Sequence, residues 1–227
     1  MSTPASTDRR RSAALARRRK REQEILAATR ALFDERGVRD AQIEDVARAV
    51  GVNRAIIYRH FTGKEELFAL TLVGYLDDLH SRLTGTASGV EDGDPVSRVR
   101  AITEAFVDFG LEFPAFVDCA QTLMRRPGPE LLEEISESAL FRLGRGIAGC
   151  LSVLSAALRA GVDAGEFAID DVDLVANTLY ATGLGALQLA RVGMLVKEAA
   201  PGVPMVAPLS AQQVKDHLVR SALALAR

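Results

Sequence analysis

The sequence predicts an all-α protein of about nine helices. Apolar residues recur at helical spacing through almost the whole chain, and no segment shows a convincing alternation of apolar and polar residues. Glycine, proline and short polar clusters separate the helical patterns. The chain has 227 residues, of which 48% are hydrophobic and 26% charged, so it has enough apolar material to bury a sizeable core.

Three helices are expected in the N-terminal quarter. Residues 1–14 are polar and basic and are expected to form a disordered arm. A helical pattern then runs up to Gly37, where a helix is expected to end. A short second helix covers residues 43–50. Asn53 is a good N-cap for a third helix over residues 54–61.

The rest of the chain reads as further helices separated by turns. Pro127-Gly128-Pro129 is the clearest turn, and residues 201–208 are expected to form a loop. Pro95 and Pro114 suit the first position of a helix, and Ser210 suits an N-cap. The predicted helices are 64–84, 95–111, 114–124, 130–161 with a candidate break near Ser138, 170–198 and 210–226.

Charge is distributed unevenly along the chain. Residues 1–64 carry 15 Lys and Arg against 8 Asp and Glu, whereas residues 65–227 carry 13 against 22. A basic first quarter joined to an acidic remainder indicates that only the first part meets a polyanion.

The composition argues against several other classes of protein. Cys119 and Cys150 have no CxxC spacing, which argues against a disulfide scaffold or a zinc finger. The longest uncharged run, Leu174 to Ala190, is short and polar for a membrane span. We expect a cytoplasmic protein without a cofactor, a metal site or catalytic residues.

Residues 43–61 have the composition of a helix-turn-helix. Such a unit needs small residues where its helices cross, here Ala47 and Ala49, and a glycine at the turn, here Gly51. Apolar residues must hold the second helix in place, here Ile57 and Phe61. The alternative is a helical hairpin that only packs a core.

The second helix of such a unit presents its N-terminal side chains to the major groove. Arg54, Ala55 and Ile56 are the candidates for base contacts, since arginine can read guanine and an apolar side chain can contact a thymine methyl. Tyr58, His60 and Lys64 are spaced to reach phosphates. For His60, a packing role is the alternative.

The stretch from Gly37 to Leu67, which ends in IYRHFTGKEEL, resembles the N-terminal signature of the TetR family of bacterial transcriptional regulators. The resemblance implies base contacts around residues 54–56 and backbone contacts from Tyr58, His60 and Lys64. The family usually has threonine where this chain has Gln42. Gln42, Arg48, Asn53 and Arg59 complete the candidate DNA-binding set, and for Arg48 a salt bridge on the helix surface is the alternative.

Two basic clusters lie ahead of Ile25, where the apolar pattern of the first helix begins. Arg9–Arg11 and Arg17–Arg21 carry eight positive charges. One interpretation is an arm that follows phosphates or enters a minor groove; the other is a solvated tail. DNA contact predicts a steep dependence of affinity on salt.

The larger C-terminal part is predicted to bind an effector and to dimerise. The resemblance implies a four-helix bundle made by the last two helices of each subunit. The cluster of phenylalanines around residues 106–116 suggests an apolar pocket for a lipophilic ligand, with ordinary core as the alternative for each residue. The candidate ligand-binding residues are Phe106, Phe109, Phe113, Phe116, Leu123, Met124, Phe141, Leu154, Asn177 and Tyr180.

Two other functions compete with regulation. Gly144-Arg-Gly-Ile-Ala-Gly149 matches GxGxxG, but a helical pattern precedes it where a dinucleotide fold needs a strand. A helical adaptor without sequence-specific DNA binding is the second alternative. We predict a ligand-responsive repressor that binds a palindromic operator as a homodimer, with an arm at 1–14, a helix-turn-helix domain at 15–64 and an effector-binding and dimerisation domain at 65–227.

Overall fold

A computed structural model describes residues 4–90 and 94–227, with side chains from residue 10 onward. The predictions made for residues 1–3 and 91–93 lie outside these ranges. The described residues form ten helices and one β-hairpin, and the all-α prediction is confirmed apart from that hairpin. The elements are α1 Pro4–Arg36, α2 Ile43–Ala49, α3 Arg54–His60, α4 Lys64–Ser88, α5 Pro95–Glu112, α6 Pro114–Met124, α7 Gly128–Glu134, α8 Glu137–Asp163, α9 Val172–Val192, β1 Met194–Ala200, β2 Val203–Pro208 and α10 Ala211–Leu225.

The first helix is longer than the sequence indicates. The arm expected to be disordered is helical from Pro4 onward. Nothing between Pro4 and Arg36 stops a helix, since the stretch has no glycine and is rich in alanine and arginine. Its first half lacks an apolar face, and the side chains of residues 10–20 are exposed. Helix α4 also runs past its predicted end at Thr84, to Ser88.

Several helix boundaries follow the predicted signals. The predicted break near Ser138 is present, because Ser136 caps α8 by accepting a hydrogen bond from the Ala139 N–H at 3.3 Å. Asp171 caps α9 in the same way through Leu174 N–H, at 2.9 Å. Pro95 and Pro114 begin α5 and α6.

The prediction of one helix over 170–198 followed by a loop was wrong. Helix α9 ends at Val192, and Gly193 takes a left-handed φ of +68°. Strands β1 and β2 then pair antiparallel around a two-residue turn, Pro201-Gly202, in which Gly202 has φ +77°. The signal missed was a Pro-Gly turn flanked by residues that favour strands, chiefly Val196, Val203 and Val206.

The core is built around α4, which runs from the N-terminal head (α1–α3) into the body (α5–α10). Tyr75, Leu76 and Leu79 of α4 and Leu158 of α8 are fully buried. By length and composition alone α8 is able to cross a membrane, as are many core helices of water-soluble proteins. It packs against α4, α5 and α9.

The GxGxxG segment lies inside α8. A helix therefore stands where a dinucleotide site requires a strand followed by a turn. Gly146 and Gly149 face α4, where a Cβ would lie 3.2 Å from Leu76 Cδ1 and 3.6 Å from His80 Nδ1 respectively. These two glycines therefore serve close helix packing.

Candidate DNA-binding surface and effector cavity

Helix α3 is held on the head by a few specific contacts. Asn53 caps it, with Oδ1 accepting from the Ile56 N–H at 3.1 Å. Ile57 and Phe61 are buried, at 1% and 2% exposure. Gly51 takes φ +67° in the turn. Ala47 is buried as predicted, but Ala49 is exposed and does not lie where the helices cross.

With Ile57 turned inward, the opposite face of α3 points outward. Arg54, Ala55, Tyr58 and Arg59 are exposed, and Ile56 is half-buried. The structure therefore brings the predicted base-contacting residues and Tyr58 together on one outer surface, which we call the α3 surface (residues 54–56, 58 and 59).

Arg54 is engaged by two neighbours. Its Nη1 lies 2.7 Å from Glu44 Oε1, and its Nη2 donates to Tyr58 Oη at 3.1 Å. The hydrogen bond to Tyr58 and the charge of Glu44 raise the pKa of the Arg54 guanidinium. These contacts hold the arginine above the first turn of α3.

The other predicted DNA-contacting residues surround the α3 surface. Gln42 is the N-cap of α2 and makes no capping hydrogen bond with its exposed side chain. Arg48 forms the expected alternative, a surface ion pair with Asp45 at 2.7 Å. Lys64 begins α4, with its Nζ 5.0 Å from the ring centroid of Phe68.

His60, the last residue of α3, is half-buried where α3 faces α1. Burial and the positive charge of Arg18 lower the pKa of its imidazole. Its Nδ1 is buried and makes no hydrogen bond among the described residues. The ring lies in the wall of a groove, so His60 is partly packed against the head and partly accessible from the groove.

A basic groove separates α1 from α3. Its volume is about 500 Å³. Three arginines of α1 and one arginine of α3 line it. Its lining residues are Arg17, Arg18, Arg21, Val52, Ile56, Arg59 and His60. The basic cluster of α1 therefore adjoins the α3 surface.

The body contains an apolar cavity between α4, α5, α8, α9 and α10. Its volume is about 50 Å³. Three of the predicted ligand-binding residues line it: Phe106, Leu154 and Tyr180. The list of candidate residues does not include the other lining residues, which are Leu79, Leu83, Ile102, Thr103, Cys150, Leu151, Leu179, Gly183, Leu218 and Ala222.

Cys150 and Tyr180 both line this cavity, and both side chains are un-ionised. Burial raises the pKa of the Cys150 thiol to about 12, and its Sγ lies 3.4 Å from the Leu76 carbonyl oxygen. Burial also raises the pKa of the Tyr180 phenol. The cavity therefore offers a neutral environment, in which the hydroxyls of Tyr180 and Thr103 are the polar groups.

Seven predicted ligand-binding residues lie elsewhere. Phe109, Phe113 and Phe116 form an aromatic cluster, with centroids 4.9 Å apart for 109 and 113 and 5.3 Å for 109 and 116. The ring centroid of Phe116 lies 6.3 Å from that of Phe106, which lines the cavity. The cluster therefore packs against the cavity wall and does not line the cavity itself.

The remaining four lie away from this cavity. Leu123 is buried beside Phe68 at the start of α4, in a separate cleft of about 190 Å³. Met124 and Phe141 are 55% and 71% exposed. Asn177 is exposed and donates to the Asp173 carbonyl at 2.9 Å. Helical spacing identifies the apolar face of a helix but does not specify which neighbouring helix that face packs against.

Comparison with known proteins decides the family. Residues 25–71 match the sequence profile of the family described as bacterial regulatory proteins, tetR family. The predicted resemblance to the TetR family is confirmed. The HTH-type transcriptional repressor KstR2 of Rhodococcus jostii is 29% identical over 175 residues, which make up 76% of this chain and 81% of that protein.

Solved structures agree with this resemblance. The ketosteroid transcriptional regulator KstR2 of Mycobacterium tuberculosis matches with 26% identity and a TM-score of 0.54, over 90% of this chain and 93% of that one. RolR in complex with resorcinol matches with a TM-score of 0.66 and 17% identity, over 93% and 89% of the two chains. The RolR likeness concerns the fold alone.

The chain is thus a DNA-binding transcriptional regulator. This finding confirms the predicted regulator and not the helical adaptor. Regulators of this family bind DNA as dimers and respond to small-molecule effectors.

Proposed function

We propose that this TetR-family chain is a repressor that binds a palindromic operator as a homodimer, and that a small, mainly apolar effector changes its affinity for DNA. The observation that carries the proposal is the α3 surface, with Arg54 and Tyr58 exposed on a helix whose other face is buried. It stands beside a groove rich in arginine. The protein acts in the cytoplasm, without a catalytic function or a cofactor.

The α3 surface enters the major groove. Arg54 reads a guanine in place of its contact with Glu44, and Ala55 and Ile56 contact bases through their apolar atoms. Contacts with phosphates come from Tyr58 and Arg59 on the same surface and from residues beside it. These further DNA-binding residues are Gln42, Arg48, Asn53, His60 and Lys64.

The basic part of α1 adds contacts that do not depend on sequence. Arg17, Arg18 and Arg21 line the groove beside α3 and lie on the same helix as the preceding arginines. Each phosphate that these residues neutralise steepens the fall of affinity with salt, by about 0.9 in the log-log slope.

Dimerisation brings together the heads (α1–α3) of two subunits. Helices α9 and α10 form the interface, with two helices from each subunit, and the two-fold axis matches that of the operator. The two α3 surfaces then reach half-sites about 34–36 Å apart. Leu174 of α9 and Leu225 of α10 are 63% and 50% exposed in a single chain, which supports a partner on these helices.

The effector binds in the apolar cavity of the body. An apolar site that holds benzene has a volume of about 150 Å³, and this cavity measures about 50 Å³. Even a single ring therefore requires Phe106, Leu154 and Tyr180, which are half-buried, to turn aside. Leu79 and Leu83 of α4 also line the cavity, and α4 begins in the head.

The effector acts only through a difference in affinity between two conformations. Displacing cavity walls that include α4 favours one position of the heads over the other. The ligand-binding residues of this proposal are those that line the cavity, and the aromatic cluster of Phe109, Phe113 and Phe116 supports them.

The first experiment tests DNA binding. The fragment upstream of the protein's own gene is footprinted with the wild type, with Arg54→Ala/Tyr58→Ala, and with Arg100→Ala as a control on the exposed side of α5. We expect protection of a palindrome that only the double variant loses, across a salt series. Weak binding that is equal for all three proteins, both there and over a genomic pool of fragments, would contradict the proposal.

A second experiment tests the cavity. Leu154→Trp fills the cavity, whereas Leu132→Trp adds the same ring at a side chain that is 67% exposed. Resorcinol and a ketosteroid serve as the first probes, because the RolR structure is a complex with resorcinol and KstR2 is described as a ketosteroid transcriptional regulator. A probe that raises the Tm of the wild type and of Leu132→Trp, but not of Leu154→Trp, supports the proposed site. An equal rise in all three proteins places binding elsewhere.

A further inference from the structure

The β-hairpin between α9 and α10 has one exposed apolar face. Residues paired across an antiparallel ladder lie on the same face of the sheet, and the pairs include Met194 with Pro208 and Val196 with Val206. Met194, Val196 and Val206 are 52%, 79% and 62% exposed. We call the surface made by Met194, Val196, Val206 and Pro208 the hairpin face.

The body provides little cover for the hairpin. On the opposite face only Leu195 and Ala207 are half-buried, and the two strands make most of their contacts with each other. A lone two-stranded hairpin is marginally stable in water. An exposed apolar face on such a hairpin therefore points to a partner.

The backbone shows which edge of the hairpin is open. Leu209 N–H donates to the Gly193 carbonyl at 2.9 Å, so the next pair, Met194 with Pro208, is a non-hydrogen-bonded pair. Alternation then makes 196–206 and 198–204 non-hydrogen-bonded pairs too. The backbone groups of these six residues point away from the ladder, toward the outer edges.

The two outer edges differ in their donors. Along β2, two of the three outward positions are Pro204 and Pro208, which have no N–H to donate. Along β1, the outward positions are Met194, Val196 and Glu198, and all three keep their N–H groups. The edge of β2 is thus blocked, and the edge of β1 is free to accept another strand.

We propose that β1 pairs antiparallel with β1 of a second copy of this chain, which joins the two hairpins into one four-stranded sheet across the two-fold axis. This inference rests on the proposed homodimer. A strand edge that pairs with its own copy about a two-fold axis is antiparallel by symmetry. The hairpin also continues directly from α9, in which Leu189 and Val192 of the last turns are 41% and 52% exposed.

A second copy is the occupant that fits these observations best. The proposed interface helices α9 and α10 flank the hairpin on both sides in the chain, so dimerisation through them brings two hairpins toward the same axis. Pairing of the β1 edges satisfies the outward N–H groups of β1, and it combines the two hairpin faces into a larger apolar surface.

A matched pair of proline variants tests the pairing. Val196→Pro and Val206→Pro remove the same side chain from the same face, and neither removes a hydrogen bond inside the hairpin, because both N–H groups point outward. Only Val196→Pro removes a donor from the open edge. We expect Val196→Pro to raise the dimer dissociation constant at least tenfold, and Val206→Pro to raise it no more than about threefold.

The measurements are sedimentation velocity over a concentration series, with circular dichroism to verify folding, and amide hydrogen exchange of the wild type. Exchange at Val196 should slow as the protein dimerises, while exchange at Val206 stays constant. Equal weakening by both variants, or none by either, would overturn strand pairing while leaving the homodimer intact. A wild type that sediments as a monomer at all concentrations would refute the proposed homodimer itself, and the pairing with it.

Discussion

The carboxylate of Glu66 accepts a hydrogen bond from the hydroxyl of Ser136 and so joins the start of α4 to the start of α8. Glu66 is only 5% exposed, and its other oxygen accepts from the Thr62 N–H. The hydrogen bonds from Ser136 and Thr62 outweigh the effect of burial and lower the pKa of Glu66. Head and body therefore meet at a buried, ionised carboxylate that depends on its donors.

A second contact acts beside this one. Arg142 of α8 lies 2.7 Å from Glu22 of α1, so the body also contacts the first helix of the head. Both groups are partly exposed, which limits the strength of the ion pair. The buried contact between Glu66 and Ser136 is the stronger constraint on how the head sits on the body.

Loss of the Ser136 hydroxyl should destabilise the protein. Ser136→Ala removes both the cap of α8 and a donor to a buried carboxylate, for an expected loss of about 1–3 kcal/mol in the free energy of unfolding. Ser138→Ala is the control, because among the described residues that exposed hydroxyl forms a hydrogen bond only with Ser136. Urea denaturation gives both values. A difference below about 0.5 kcal/mol between the two variants would argue against the contact.

Glu44 should weaken DNA binding by holding Arg54. Glu44→Gln removes the ion pair and one negative charge next to the α3 surface. Since an ion pair between exposed groups is weak in water, we expect operator affinity to rise by no more than about fivefold. Fluorescence anisotropy with a labelled operator measures the change, with the exposed Glu166→Gln in the body as the control. Unchanged or reduced affinity for Glu44→Gln alone would contradict this role.

Replacing two glycines of α8 by alanine should change the stability of the protein in opposite directions. At Gly161, a Cβ would overlap the ring of Phe167, so Gly161→Ala should destabilise the protein by about 1–3 kcal/mol. At Gly144, a Cβ would meet nothing within 4 Å, and Gly144→Ala should stabilise the helix by about 0.5–1 kcal/mol. Thermal unfolding compares the two. Changes of the same sign would show that α8 is packed differently.

His60 should make the stability of the free protein depend on pH. Its pKa is lower in the folded protein than the value near 6.5 of the unfolded chain. The unfolded state therefore binds the proton more readily, and stability should fall as pH drops through about 6.5. His60→Gln should flatten this fall between pH 7.5 and 5.5, relative to His217→Gln at an exposed site of α10. Identical profiles of stability against pH for the two variants would show that His60 does not cause the fall.

Much of the α3 surface was accessible from the sequence because local rules govern it. The capping oxygen of Asn53, the left-handed turn at Gly51 and the inward faces of Ile57 and Phe61 all follow from residue type and spacing over about ten positions. Once those residues are fixed, the outward direction of Arg54 and Tyr58 follows from helix geometry. What spacing did not reveal is that Glu44, ten residues earlier in the chain, reaches Arg54.

The sequence by itself determined the helical class, most helix boundaries and the outward face of α3, since caps, prolines and helical periodicity act within a few residues. Only the tertiary structure decided which side chains meet across helices. Phe106, Leu154 and Tyr180 share a cavity while Met124 and Phe141 point outward, because the apolar face of a helix does not specify its neighbour. The hairpin also emerged only in the structure, where pairing between strands at either side of Pro201-Gly202 outweighs the helical tendency of Lys197 to Ala200.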